Sequence, residues 1–118
     1  MDQIELRTED APNGIRTLYV AGPVTLNTLF EFQDAIRKEQ GPGLIVSLAD
    51  VPYMDSAGLG AILGLYASCQ RQGRGFALAN VSSRVVTLLQ VAKVDTLVPR
   101  FETVDAAMAA LASKAPSA

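Results

Sequence analysis

The sequence predicts an α/β domain built on a partly parallel sheet, and three observations carry that expectation. Short apolar runs of strand length alternate with longer segments of helical period, the order that strand–helix–strand units require. The breaks between them fall at glycine and proline: Gly22-Pro23, Gly41-Pro42-Gly43 and Gly73-Arg74-Gly75. The run Leu44-Ile45-Val46-Ser47-Leu48 reads as a buried central strand, and Val51-Pro52-Tyr53-Met54 leads from it through Asp55-Ser56 into a helix.

In chain order, Ile4 to Leu6 is expected to be a short first strand. Asp10-Ala11-Pro12-Asn13-Gly14 is a turn, and its Asn-Gly pair is a strong hairpin signal. Ile15 to Ala21 sets Ile15, Thr17 and Tyr19 against Arg16, Leu18 and Val20. Both sets are bulky, which predicts a strand covered on two faces. Thr25 is placed to cap a first helix running to about Glu39. Its main face would carry Leu26, Leu29, Phe30, Gln33, Ile36 and Arg37, with Phe32 flanking it. A second helix runs from Ala57 to about Gln72 with the stripe Leu59, Ile62, Leu63 and Tyr66. Phe76 to Asn80 is a strand. Ser82 or Ser83 caps a third helix through Val91, with Val85, Leu88, Leu89 and Ala92 on one face. Leu97 to Phe101 is a short strand that Pro99 confines to an edge. Thr103 caps a last helix presenting Val104, Ala107, Met108 and Leu111.

The chain's 118 residues suit one domain, expected over 1–112 with a loose tail over 113–118. An apolar content of 49% is enough for a core and argues against disorder. The net charge of −2 comes with no basic run, so nucleic acid is not an expected partner. Cys69 is the one cysteine, which excludes an intrachain disulfide and suits a reducing compartment. The N-terminal MDQIELRTED has no apolar stretch of the signal-peptide kind. The longest uncharged run, Ser56 to Gln70, has 15 residues, too few for a membrane span. A cytoplasmic, soluble protein with no membrane insertion is expected. The sequence holds no histidine, so a Ser-His-Asp site is excluded, and a zinc site would have to be built from one cysteine and carboxylates. No catalytic residues, cofactor or metal are expected, and the chain is not expected to be an enzyme.

The functional expectation rests on Ser56, at the join of strand and helix. Serine is a preferred N-cap, so a purely structural role is one reading. The other is a switch, because first-turn N–H groups and the helix dipole favour a phosphate placed there. Asp55 is placed to orient the hydroxyl, to act as a weak base, or to shape the turn. Gly58, Gly60 and Gly64 match neither a dinucleotide fingerprint nor a P-loop. Their reading is steric, letting the helix lie close to the sheet or to a partner. Cys69 lies late in the helix, is expected to have no basic or histidine neighbour that lowers its pKa, and reads as a structural thiol. Arg71, Arg74, Arg84, Lys93 and Arg100 are scattered, as on a solvated surface.

The stretch Leu44 to Gly64, and above all Met54-Asp55-Ser56-Ala57-Gly58-Leu59-Gly60, resembles the signature of STAS domains, named for sulfate transporters and anti-sigma factor antagonists. The order of the later segments, through Val94-Asp95-Thr96-Leu97, extends the resemblance over nearly the whole chain. It implies a mixed, mostly parallel four- to five-stranded sheet with helices packed largely on one face. A stand-alone copy of this size is similar to bacterial anti-sigma factor antagonists. In that family the unphosphorylated antagonist binds an anti-sigma factor that is also a serine kinase, which frees a sigma factor. Phosphorylation of the serine breaks the complex, and a serine phosphatase resets it. The resemblance makes Ser56 the acceptor. Ala57 stands where some relatives carry a second hydroxyl. The expected partner surface comprises Asp55, Ser56, Ala57, Gly58, Leu59 and Gly60, with Thr25 and Asn27 at its rim. Gly22-Pro23-Val24-Thr25 departs from the pattern, because many antagonists carry acids at the second and fourth of these positions. The alternative is a non-switching scaffold subunit of a membrane complex transporting lipid or anions.

Overall fold

The computed structural model describes residues 3–37 and 41–114. The elements are β1 (Glu5–Asp10), β2 (Arg16–Ala21), α1 (Leu29–Arg37), β3 (Gly43–Asp50), α2 (Ser56–Arg71), β4 (Gly75–Ala79), α3 (Ser83–Val91), β5 (Arg100–Phe101) and α4 (Val104–Lys114). One five-stranded sheet takes the order β1-β2-β3-β4-β5. β1 runs antiparallel to β2, with Glu5 opposite Ala21 and Asp10 opposite Arg16. All other neighbours are parallel.

This order explains where the helices lie. From β2 onward the strands advance one place at a time in a single direction. A constant crossover handedness then puts every connecting helix on the same face. Leu18 and Val20 of β2, Leu44, Val46 and Leu48 of β3, and Phe76 and Leu78 of β4 point to that face. They meet Phe32 of α1, Ile62 and Leu65 of α2, and Val85 and Leu89 of α3. No crossover follows β5, and α4 packs on the opposite face against Ile45, Ala77 and Ala79 through Ala107 and Leu111. β3 is therefore covered twice, as its continuous apolar run requires, and Leu44, Ile45, Val46 and Leu48 are all fully buried.

Several boundaries differ from the sequence reading. β1 reaches Asp10 despite its charges, because cross-strand partners hold it. The Arg7 guanidinium lies 4.2 Å from the centre of the Tyr19 ring, and the Tyr19 hydroxyl donates to Glu9 at 3.0 Å. A charged edge of this kind also discourages pairing with other chains. α1 begins at Leu29, not at Thr25. The Thr28 hydroxyl accepts from the Thr25 N–H at 3.0 Å and donates to the Pro23 carbonyl at 2.8 Å, which holds this segment as a turn. The late start rotates the buried face. Phe32 is the core residue at 0% exposure, whereas Phe30 is 83% and Leu26 67% exposed. The expected assignment of Leu26 and Phe30 to the apolar face is thus corrected. Ser82, not Ser83, caps α3, its hydroxyl accepting from the Val85 N–H at 3.3 Å. α4 includes Ser113, placed in the tail by the sequence reading. The expected end of α1 at Glu39 and the tail beyond 114 lie outside the described residues. Among the described residues, no helix is long and apolar enough to cross a membrane.

Candidate functional site

The site lies where the chain leaves β2 and β3, at the carboxyl ends of two parallel strands, where α/β sheets commonly carry function. The two exits are laced together. Gly22 donates its N–H to the Asp50 carbonyl at 2.9 Å, Val24 to Tyr53 at 3.2 Å, and Asp55 to Val24 at 3.2 Å. Val24 and Met54 form an isolated parallel bridge. The parallel pairing is thus resumed past the sheet, and the β2–α1 loop lies beside the first turn of α2.

That approach fixes the residue types of the turn. Gly58 lies so close to the Val24 carbonyl that a Cβ there would overlap its oxygen and crowd Met54. Gly60 and Gly64 have nothing within 4 Å of where a Cβ would stand. The steric reading of the glycines therefore holds against the fold at Gly58, while Gly60 and Gly64 leave open space. An open groove of about 450 Å³ runs past them, lined by Ala57, Gly60, Gly64 and Ser68 on α2 and by Gln33 on α1.

Asp55, not Ser56, is the N-cap of α2. Its backbone is extended (φ −101°, ψ −176°), the conformation a cap needs and the one its bond to Val24 imposes. Its Oδ1 accepts from the Gly58 N–H at 2.9 Å and its Oδ2 from the Leu26 N–H at 3.1 Å. Ser56 is the first helical residue and is exposed, and among the described residues its hydroxyl makes no hydrogen bond. The capping role that competed with a switch is thus taken by its neighbour.

The Gly58 N–H, then the Leu26 N–H, hold the Asp55 carboxyl below the usual carboxylate range, against a partial burial that pushes it up. A depressed folded pKa means that the unfolded chain binds the proton more readily. The stabilisation is complete above the unfolded value of about 3.9 and is lost as pH falls through the folded pKa. Urea midpoints measured from pH 6 down to pH 2 are expected to fall over this window, and less steeply in Asp55→Asn than in wild type.

The expected partner surface is reshaped by burial. Ser56, Gly60 and Asn27 are exposed, and Asp55 and Ala57 are partly so. Leu59 points into the core at 6% exposure, Gly58 is covered by the Val24 segment, and Thr25 is 6% exposed. These three lie beneath the exposed residues of this surface. The sequence reading missed Leu26, Phe30 and Tyr53, the exposed large apolar side chains around this end of the molecule. One signal was available: Leu29 and Phe32 are three apart and share a helical face, which turns Phe30 away from it. Among the described residues, no cluster of three or more acidic, cysteine or histidine side chains is placed to hold a metal. Cys69 is fully buried, and burial pushes its thiol pKa up, away from reactivity, although Arg74, a basic neighbour the sequence reading did not expect, pulls the other way.

A mixed sheet with three helices on one face, and a serine on the first turn of the helix after its central strand, is the arrangement of the STAS domain. The chain belongs to that family, whose model matches residues 7–107. Among curated proteins, an anti-sigma-B factor antagonist of Bacillus subtilis is 42% identical over 53 residues, covering 45% of this chain and 49% of that protein. An anti-sigma F factor antagonist of Paenibacillus polymyxa is 31% identical over 72 residues, covering 61% of this chain and 62% of that protein. The matched segments thus span less than two thirds of either relative. The crystal structure of an anti-sigma factor antagonist from Mycobacterium paratuberculosis superposes with a TM-score of 0.84 over 93% of this chain and 95% of that one, at 21% identity, a likeness of fold.

Proposed function

We propose that this protein is an anti-sigma factor antagonist: a binding module, not a catalyst, switched by phosphorylation of Ser56. The observation that supports it most is the exposed Ser56 hydroxyl on the first turn of α2, left without a structural duty because Asp55 caps the helix. The names of the curated relatives supply the partner class, an anti-sigma factor. In its unphosphorylated form the protein holds that partner, and a sigma factor goes free. The partner, acting as a serine kinase, transfers the γ-phosphoryl group of ATP to the Ser56 oxygen; the hydroxyl proton is lost and ADP leaves. A phosphatase reverses the change by hydrolysis.

The physical asymmetry makes such a switch effective. A phosphate brings about −1.5 to −2 charges at neutral pH. Within the fold it sits at the positive end of the α2 dipole, which offsets its cost. At a docked surface the same charge stands beside the Asp55 carboxylate and must be desolvated without a cation. Binding is lost while the fold survives. Pro23, which stands where many relatives carry an acid, leaves the rim of the surface neutral, and the buried Thr25 adds no charge beneath it, so Ser56 carries most of the charge change.

Capture from native extract with wild-type, Ser56→Ala and Ser56→Asp baits tests this. An ATP-binding anti-sigma factor is expected on the first two and reduced at least about tenfold on the third, the scale of one uncompensated charge at an interface. Added Mg-ATP is expected to elute it from wild type and not from Ser56→Ala. Equal retention by all three baits, or a transport ATPase held equally by all, overturns the proposal.

A further inference from the structure

We propose that Asp55 is a positioning residue that fastens the exposed pair Leu26 and Phe30 to the Ser56 turn, so that the partner reads all three as one surface; this rests on the partner-binding function proposed above. The two carboxylate oxygens of Asp55 have separate duties. One caps α2 at Gly58, as any good N-cap does. The other reaches back 29 positions to the Leu26 N–H, which capping does not require. Beyond Val24, this is the one hydrogen bond among the described residues that joins the β2–α1 turn to α2. The remaining bonds of that turn are internal, between Thr28 and Pro23 or Thr25.

What the bond holds in place is apolar and uncovered. Leu26 is 67% exposed and Phe30, four residues on in the first turn of α1, is 83% exposed. A large aromatic side chain and a leucine contribute contact area only when their backbone is already placed, because ordering a loose segment on binding costs affinity. Thr28 gives the turn its shape, and Asp55 ties that turn to the start of α2 before the partner arrives. It also makes the turn sensitive to charge at Ser56, the residue next to the carboxylate.

Asparagine separates the two duties. It caps helices about as well as aspartate, and its carbonyl oxygen can keep the Gly58 N–H. Its amide nitrogen is a donor and cannot accept from Leu26. Amide exchange with water is to be measured by NMR on the isotopically labelled 118-residue chain in wild type, Asp55→Asn and Asp55→Ala. In Asp55→Asn the Leu26 amide is expected to exchange about tenfold faster and to shift, with Gly58 nearly unchanged, as loss of one charge-assisted bond implies. Asp55→Ala is expected to expose both amides. Capture of the anti-sigma factor is expected to fall about tenfold in Asp55→Asn and also in Phe30→Ala, a variant whose fold does not depend on that side chain.

Unchanged Leu26 exchange in Asp55→Asn overturns the positioning role. A freed Leu26 with undiminished capture overturns the recognition role. A wild-type bait that captures no anti-sigma factor removes the proposed function, and the recognition role with it, while the Leu26 exchange still reports the clamp.

Discussion

Phe32→Ala is expected to cost about 3–5 kcal/mol of folding stability, and Phe30→Ala, two residues away, less than about 0.5 kcal/mol. Phe32 is the largest fully buried side chain and sits among the residues that α1 and the sheet share. Removing its ring deletes apolar contact and leaves a cavity that the strands behind it cannot close. Phe30 is 83% exposed and touches little that folding buries. Urea denaturation followed by circular dichroism reads both. Comparable losses in the two variants would show that α1 has the other face inward and would withdraw Phe30 from the proposed partner surface. The two positions are separated by about 200° on a helix, so one of them must face water.

Gly58→Ala is expected to destabilise by about 1–3 kcal/mol, although alanine is the better helix former. The added methyl group meets the Val24 carbonyl, a backbone atom that cannot change rotamer. Relief requires the β2–α1 loop to move away from α2, which breaks the Val24–Met54 bridge and loosens the site. Gly60→Ala and Gly64→Ala are expected to do the opposite. Their methyl groups enter open space, and the gain in helix propensity is about 0.5–1 kcal/mol each. The same substitution thus changes sign within one helix. Equal effects at the three positions, read from urea midpoints, would show that the close approach at Gly58 does not govern the turn. Under the proposed function, partner capture is expected to follow stability at Gly58, whereas at Gly60 any loss of capture would be a loss of contact alone.

The elements that frame the candidate site were legible because their signals are local. An apolar run of strand length followed by small residues fixes β3 and the start of α2, and both formed within one or two residues of expectation. Turn chemistry at Gly22-Pro23 and at Gly73-Arg74-Gly75 marked the breaks correctly. Gly22, with φ of +106° and the Gln3 carbonyl oxygen where a Cβ would stand, admits no side chain. The position of Ser56 at the start of α2 was legible in the same way, whereas the cap itself is Asp55.

By itself, then, the sequence determined the order of the elements, the partly parallel sheet and the presence of Ser56 at a helix start, all consequences of hydrophobic period and nearby glycine or proline. The tertiary structure decided the rest. Asp55 caps α2 because pairing with Val24, 31 residues earlier, extends its backbone. Phe32 is inside because Thr28 ties the preceding turn to Pro23 and delays α1. Gly58 is constrained and Gly60 free because one faces a backbone segment and the other solvent. Each depends on a contact between segments distant in the chain or on the direction a turn takes in space, and neither is written in the spacing of residues along one element.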